Sequence, residues 1–125
     1  MQAHGLGGTF TDEADLTAKK GYVVKIGAAD NGVILADDND EPYVGIVDSV
    51  PLAAAGSVGI QSHGIGRVVC GGTVTRGTLV QADAAGKIID FVPGAGTEYY
   101  LGLALESGAA NEVVRVNLTP GVHGT

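Results

Sequence analysis

The stretch that decides the fold is GYVVKIGAADNGVILA, residues 21–36, in which two short apolar runs flank an Asp-Asn-Gly turn. Apolar and β-branched runs of this length predict strands, and Asn-Gly supplies the positive φ that a tight hairpin needs. A second stretch, GTLVQADAAGKIID (residues 77–90), has nearly the same order. It too begins with Gly and an apolar run, turns through Ala-Ala and Gly, and ends with another apolar run. The chain therefore contains two similar predicted hairpins.

The segments after the hairpins show that this similarity extends further. EPYVGIVDSV (residues 41–50) matches EYYLGLALES (residues 98–107), so that Tyr43 corresponds to Tyr100 and Gly45 to Gly102. SVGIQ (residues 57–61) and VVRVN (residues 113–117) follow at the same offset of 56 to 57 residues. We interpret the chain as two copies of one unit, about residues 21–61 and 77–117, each with a hairpin, a Gly-centred strand and an alternating strand.

Short apolar runs between Gly-rich turns predict an all-β fold, a small internally duplicated barrel or sandwich. No segment has helical periodicity of useful length, although residues 51–55 suit a single turn because Pro favours an early helical position. The nine predicted strands cover residues 22–26, 33–36, 43–48, 57–61, 65–70, 78–82, 87–91, 100–105 and 112–118.

The two ends of the chain lie outside the repeat. Residues 1–18 are predicted to be an extended N-terminal arm, since their few large apolar side chains cannot form a core. Residues 19–118 form the single duplicated β domain, and residues 119–125 a flexible C-terminal tail. The arm alternates around Thr-Phe-Thr as an added strand would, and spaced apolar side chains are typical anchors of such a segment. The candidate contact residues are Leu6, Thr9, Phe10, Thr11 and Leu16.

Composition excludes several classes of function. The chain has 125 residues, 45% of them hydrophobic, and a net charge of −7, and its largest basic cluster is Lys19-Lys20. Binding to nucleic acid needs many more cations on one face. The sequence has neither a signal-like segment nor an apolar run of membrane-spanning length, so a soluble protein made in a cytoplasm is expected. Cys70 is the single cysteine, which excludes an internal disulfide, and its Val-Val and Gly neighbours predict a buried side chain.

Candidate catalytic and metal-binding residues were sought and rejected. Ser62 and His63 are adjacent, so in a strand they would point to opposite faces. The acidic run DDNDE (residues 37–41) lacks the spacing of a calcium loop, because Pro42 stands where Gly is needed. Lys87 only faintly resembles a lipoyl-bearing lysine, since its neighbours Gly86 and Ile88 do not fit. We therefore predict no catalytic residue, no metal site and no cofactor, and do not expect an enzyme.

The sequence RGTLVQADAAGKIIDFVPGAGTEYYLGLALESGAANEVVRVNL, residues 76–118, resembles the C-terminal half of the small phage capsid decoration, or cement, proteins. The resemblance rests on Gly-x-x-Val, a turn, Gly-Lys-Ile, an apolar-Gly-apolar-Ala strand and a final VRVNL strand. VGIVDSV and HGIGRVVCGG extend it to the first half, so that it covers residues 19–118. The arm HGLGGTFTDEADLT matches no motif of that family.

This resemblance implies a β-tulip-like fold and a virion structural protein, made in the host cytoplasm and located on the capsid exterior. It implies that the protein binds the major capsid protein, stabilises contacts between capsid subunits and associates with itself as a homotrimer. It implies neither a nucleic-acid nor a membrane partner. The five arm residues would then contact the capsid or a neighbouring subunit.

A second interpretation stays open, a ligand- or carbohydrate-binding β module of a virion fibre or surface. Such sites usually use exposed aromatic side chains. The chain offers Tyr22, Tyr43, Tyr99 and Tyr100, and the matched repeat positions predict core packing for Tyr43 and Tyr100.

Overall fold

The computed structural model describes residues 7–13, 15–50, 56–94 and 96–123. These residues form an all-β fold of ten strands, as the sequence predicts. The predicted turn at residues 51–55 lies outside the described residues. The strands are β1 (Gly7–Asp12), β2 (Val23–Ile26), β3 (Gly32–Leu35), β4 (Tyr43–Ser49), β5 (Ser57–Gln61), β6 (Gly64–Val69), β7 (Leu79–Ala82), β8 (Ile88–Asp90), β9 (Glu98–Ala104) and β10 (Val113–His123).

The strand that the sequence analysis missed is β1. It pairs antiparallel with β5, from Gly7 opposite Gln61 to Thr11 opposite Ser57, and parallel with β3 near Asp12. Its sequence, GGTFTD, has a single large apolar side chain, and the alternation around Thr-Phe-Thr was interpreted as a strand that adds to a partner and not to this barrel. Residues 7–12 were assigned to the arm, whereas the structure places them inside the first barrel.

The structure repeats the same five-stranded unit twice. The first unit closes as a barrel in the order β1-β3-β2-β4-β5, and the second sheet has the order β6-β10-β9-β7-β8. Strand β6 pairs with β10 as β1 pairs with β5, and a parallel bridge from Cys70 to Ile88 corresponds to the pairing of β1 with β3. The duplicated unit is therefore larger than the three elements that the sequence predicts, because β1 and β6 are equivalent first strands.

Two glycines confirm the equivalence of the units. Gly45 lies opposite Val24, and Gly102 lies opposite Val80. A Cβ atom at either glycine would strike a backbone carbonyl of the next strand, that of Gln61 for Gly45 and of Asn117 for Gly102. Close approach of two strands therefore requires glycine at both places.

The matched tyrosines differ. Tyr43 is 7% exposed and belongs to the core. Tyr100 is half-buried and lies edge-on against Phe91, with ring centroids 5.8 Å apart. The register of β2 and β4 shifts between Val24 and Lys25, next to Tyr43. The expectation that Tyr100 occupies the core as Tyr43 does is therefore not met.

The core joins the two units. One cluster of buried residues fills the first barrel. The other combines side chains of the second unit with Val23, Ala36, Tyr43 and Ile46 of the first. Because these four residues are buried against the second unit, the two units pack as one body. The cluster in the first barrel consists of Leu16, Val24, Val33, Val47, Val58 and Ile60, with Phe10, Leu35 and Val44 packed against it.

The C-terminal segment also differs from expectation. Residues 119–125 were predicted to be a flexible tail, but β10 continues to His123. After a register shift that follows Leu118, Gly121 pairs with Tyr100 and His123 with Glu98. Strand β9 begins earlier than predicted, at Glu98, and its backbone pairs with this extension.

Candidate functional site

The structure places the candidate contact residues mainly inside the first barrel. Leu16 is fully buried in its core, and Phe10 packs against the same core. The backbone of Thr9 pairs with Gly59, and Thr11 is exposed. Leu6 lies outside the described residues. The described members of this set therefore do not form one surface, and whether they contact a partner stays a prediction.

Asp12 fixes the turn that returns the chain into the barrel. Its Oδ2 atom accepts a hydrogen bond of 2.7 Å from the Leu16 backbone N–H, and the residue is 1% exposed. A carboxylate held in this way orders the turn after β1, so that Leu16 reaches the core. Comparison of the two repeats could not reveal this contact, because the position equivalent to Asp12 at the end of β6 is Cys70, which has no carboxylate.

The acidic loop of residues 37–41 is tied to the first unit by Lys25. The Lys25 ammonium lies 2.5 Å from a Glu41 carboxylate oxygen and 3.0 Å from one of Asp37. These two hydrogen bonds raise the pKa of Lys25 above its ordinary value, and the bond to Glu41 has the larger effect. The loop therefore has a structural role.

Asn39, in the middle of the same loop, links the two units. Its side-chain amide donates to Gln81 Oε1 at 2.9 Å and to the Val92 carbonyl at 3.2 Å. Its own carbonyl accepts from the Tyr99 N–H at 2.8 Å. The Val92 N–H donates to the same Gln81 oxygen, at 2.8 Å, so that the buried Gln81 is fully engaged. Nothing in the sequence identifies this linkage.

Tyr43 makes a second polar link between the units. Its hydroxyl donates to the Asp38 carbonyl at 2.6 Å and accepts from the Ala82 N–H at 3.0 Å. Burial raises the pKa of the Tyr43 phenol to about 12, although the hydrogen bond from Ala82 acts in the opposite direction. This environment stabilises the neutral phenol at the unit boundary.

Ser62 and His63 lie between β5 and β6, so their side chains contact each other and do not point to opposite faces, as the sequence analysis expected for a strand. Ser62 Oγ lies 2.9 Å from His63 Nδ1 at an exposed turn, and no Asp or Glu in the described ranges forms an ion pair with His63. Within the same ranges, no three His, Cys, Asp or Glu side chains are grouped as metal ligands would be.

Cys70 is fully buried, as predicted, and this burial raises the pKa of its thiol. A search of the described residues for a helix long and apolar enough to cross a membrane found none.

One open surface lies at the end of β9 and β10, and we call it the aromatic ribbon: Phe91, Tyr100 and His123. The Phe91 ring contacts both Tyr100 and His123, with centroids 5.8 Å away in each case. Phe91 and Tyr100 are half-buried and His123 is exposed. Rings that are grouped in this way and stay partly exposed are candidates for contact with another molecule.

The other open surface is a groove of about 430 Å³ between the two units. We call it the β6 groove. Its walls come from β4, β6 and the segment before β2, and it is open to solvent. The lining includes Lys20, Ile46, Asp48, Ile65, Arg67 and Val113.

Comparisons with known proteins agree with this fold. No family model matches the chain, and no curated protein matches it in sequence. Among solved structures, the chain is similar to the N base of the head fiber gp8.5 in bacteriophage phi29, with 15% sequence identity and a TM-score of 0.64. The similarity covers 91% of this chain and 95% of that one. At this identity the comparison shows a shared fold.

Proposed function

We propose that the chain is a virion structural protein that binds the exterior of a phage head and stabilises contacts between capsid subunits. The observation that carries the proposal is its similarity to a head fiber base over 91% of the chain. The sequence resemblance to capsid decoration proteins points to the same location. The two lines of support are independent, since one uses the fold and the other uses local motifs.

The architecture suits such a role. The two units share a core and two sets of polar links, through Asn39 and through Tyr43. A clamp between capsid subunits must resist deformation, and a shared, close-packed core provides that stiffness. The net charge of −7 suits an outer surface that repels DNA and other virions.

The partners that we propose are the major capsid protein and further copies of this chain, arranged as a homotrimer. The aromatic ribbon is a candidate surface for self-association. Residues 121–123 pair with β9 on one side, while β6 ends its pairing with β10 at Leu118. A closed ring of identical contacts would let a modest surface bind the head through several attachments at once.

For the capsid contact we propose the segment before β1, with Leu6 as its apolar anchor. Phe10 contributes only if β1 leaves the barrel, and Leu16 only if the core opens, whereas the exposed Thr11 is available in its place in β1.

The test is a binding assay on phage heads assembled without this protein. Purified protein is added, heads are sedimented, and their resistance to heat is measured. We expect co-sedimentation to saturation and a higher temperature of head disruption. A variant lacking residues 2–6 should keep its circular-dichroism spectrum and bind heads at least tenfold more weakly. If the full chain neither sediments with heads nor protects them, the proposal is wrong.

The same comparison favours a second candidate function, that of a ligand- or carbohydrate-binding β module of a virion fibre or surface. In that case the aromatic ribbon would bind a ligand such as a carbohydrate, through stacking on Phe91 and Tyr100. A glycan array separates the two candidates. Saccharide binding that Tyr100→Ala abolishes, without any loss of head binding, would favour the fibre module.

A further inference from the structure

We propose that the β6 groove binds an extended acidic segment of a partner protein, which adds as a strand along the open edge of β6. This inference does not depend on the proposed function. It rests on three features that the described residues show: a backbone edge not paired with another strand, an apolar lining, and two cations that form no ion pair within these residues.

The free edge follows from the hydrogen-bond pattern of β6. The Val69 N–H donates to the Gly21 carbonyl at 3.0 Å, on the side of β6 that faces away from β10. The pairing of β6 with β10 has no register shift from Val69 to Gly64. In an antiparallel ladder, alternate residues direct both backbone groups to the same side. The backbone groups of Ile65 and Arg67 therefore point into the groove.

In both units, the contacts seen among the described residues cover only the end of this strand edge. In the first unit, the Thr11 N–H at the position equivalent to Val69 donates to Asn31 at 2.7 Å, and β3 covers the strand end. In the second unit, the bridge from Cys70 to Ile88 is the corresponding contact. Gln61 Nε2 engages the Ile65 carbonyl at 3.1 Å, and Gly21 lies beside the Arg67 carbonyl, so the Ile65 and Arg67 N–H groups are the ones that face the groove. Unpaired strand edges are templates for pairing with another chain.

The lining provides places for side chains of an added strand. Ile46 and Val47 of β4 contribute to the wall opposite β6. On the rim, Ile65 is 58% exposed and Val113 is 53% exposed. Strand addition gains affinity from the backbone and specificity from alternate side chains, so aliphatic residues at alternate positions of the partner fit this surface.

The charges select an acidic partner. Lys20 and Arg67 both line the groove, and neither forms an ion pair within the described residues. Asp48 also lines the groove, so the cations are in excess by one. Because the net charge of the chain is −7, a groove with a local excess of positive charge is the place where an acidic segment meets the least repulsion.

The experiment uses a fluorescent peptide, acetyl-Glu-Val-Asp-Val-Glu, and the full-length protein. We expect saturable binding by anisotropy, with amide chemical-shift changes concentrated at Ile65 and Arg67. Arg67→Glu should weaken binding at least tenfold. Arg76→Glu makes the same charge change at an exposed arginine outside the groove, and it should leave the affinity within about twofold, since distant exposed charges are largely screened. A peptide N-methylated at both valines should lose binding, because methylation blocks strand pairing.

Three outcomes would overturn the proposal. One is equal binding of acetyl-Lys-Val-Lys-Val-Lys, which would remove the charge selection. Another is full affinity of the N-methylated peptide for the wild-type protein, or of the unmodified peptide for Arg67→Glu. The third is an oligomer in sedimentation velocity that Arg67→Glu dissociates, since the groove would then be occupied by a second copy of this chain.

Discussion

Glu13 and Asp83 support equivalent hairpin turns of the two units from different places in the repeat. The Glu13 carboxylate accepts hydrogen bonds from the N–H groups of Ala28 at 2.9 Å and Ala29 at 3.1 Å, in the turn between β2 and β3. Asp83 lies within the turn between β7 and β8, where its Oδ1 atom accepts from the Lys87 N–H at 3.1 Å. Each turn thus has one carboxylate that orders its backbone.

The carboxylate and a glycine have exchanged positions between the units. Glu13 is equivalent to Gly71, since their N–H groups donate to Val33 and Ile88, and the pairing of the strand ends matches. A Cβ at Gly27, the equivalent of Asp83, would lie 2.8 Å from Glu13 Cδ. A Cβ at Gly71 would strike the Asp83 carboxylate. Only one carboxylate fits beside each turn, so the other position must be glycine.

This exchange predicts a compensating pair of substitutions. Glu13→Gly should lower the free energy of unfolding by about 1 kcal/mol, because two backbone N–H groups lose a charged acceptor. Gly27→Asp should also destabilise, since its side chain collides with Glu13. The double variant should recover much of the loss, because Asp at position 27 takes the place of Asp83 in the other unit. Urea denaturation measures all three. Asp30→Ala, in the same turn, is the control and should change stability by less than about 0.5 kcal/mol. Additive losses in the double variant would contradict the exchange.

The close strand approach at Gly102 predicts a large effect from one methyl group. Gly102→Ala should lower the free energy of unfolding by about 1–3 kcal/mol, because β9 must move away from the Asn117 carbonyl of β10. Gly45→Ala should act similarly in the first unit. Gly96→Ala is the matched control, since its Cβ would meet its nearest atom at 3.6 Å, an ordinary contact. Thermal unfolding of the three variants checks the prediction, and equal melting temperatures would contradict it.

The Tyr43 hydroxyl predicts a loss of stability on substitution. Tyr43→Phe removes its bonds to Asp38 and Ala82, and it should lower the free energy of unfolding by about 1–3 kcal/mol, the cost of leaving buried polar groups unpaired. Tyr99→Phe is the control, because no side-chain hydrogen bond of Tyr99 is found in the described part of the chain. Denaturation at neutral pH provides the comparison.

The raised pKa of Tyr43 also predicts how stability depends on pH. The phenol has a pKa of about 12 in the folded chain and an ordinary value of 10.0. The unfolded chain therefore releases this proton first, so the contribution is complete below pH 10 and decreases as the pH rises towards 12. The wild type should lose stability over this interval more steeply than Tyr43→Phe. Parallel curves for the two proteins would show that Tyr43 does not cause the loss.

The pairing of β1 predicts that deletions of residues 2–6 and of residues 2–12 have different effects on stability. Deletion of residues 2–6 should leave the melting temperature unchanged, because it keeps every pairing that the structure describes for β1. Deletion of residues 2–12 should open the first barrel, since β5 loses its partner and Leu16 loses the Asp12 contact. Circular dichroism and thermal melts distinguish the two variants. Equal stability of both would restore the interpretation of residues 1–18 as one arm.

The sequence by itself determined the all-β class, nine of the strands, the repeat of Gly45 at Gly102 and the burial of Cys70. These features are local, because a strand of alternating or apolar residues and a turn with Asn or Gly can be identified within a few positions. A duplication is also visible in sequence, since both copies keep the same order.

Only the tertiary structure decided which segments complete each unit. Strand β1 is recognisable by its partners β3 and β5, and the end of β10 by its pairing with β9. Asn39, Tyr43 and the Glu13 carboxylate likewise gain their roles from backbone groups far away in the chain. Backbone pairing and side-chain bonds to distant backbone atoms place few demands on residue type, so they leave no pattern in the sequence. The open edge of β6 was also decided by the tertiary structure, because a strand edge is open or paired according to where the other strands lie.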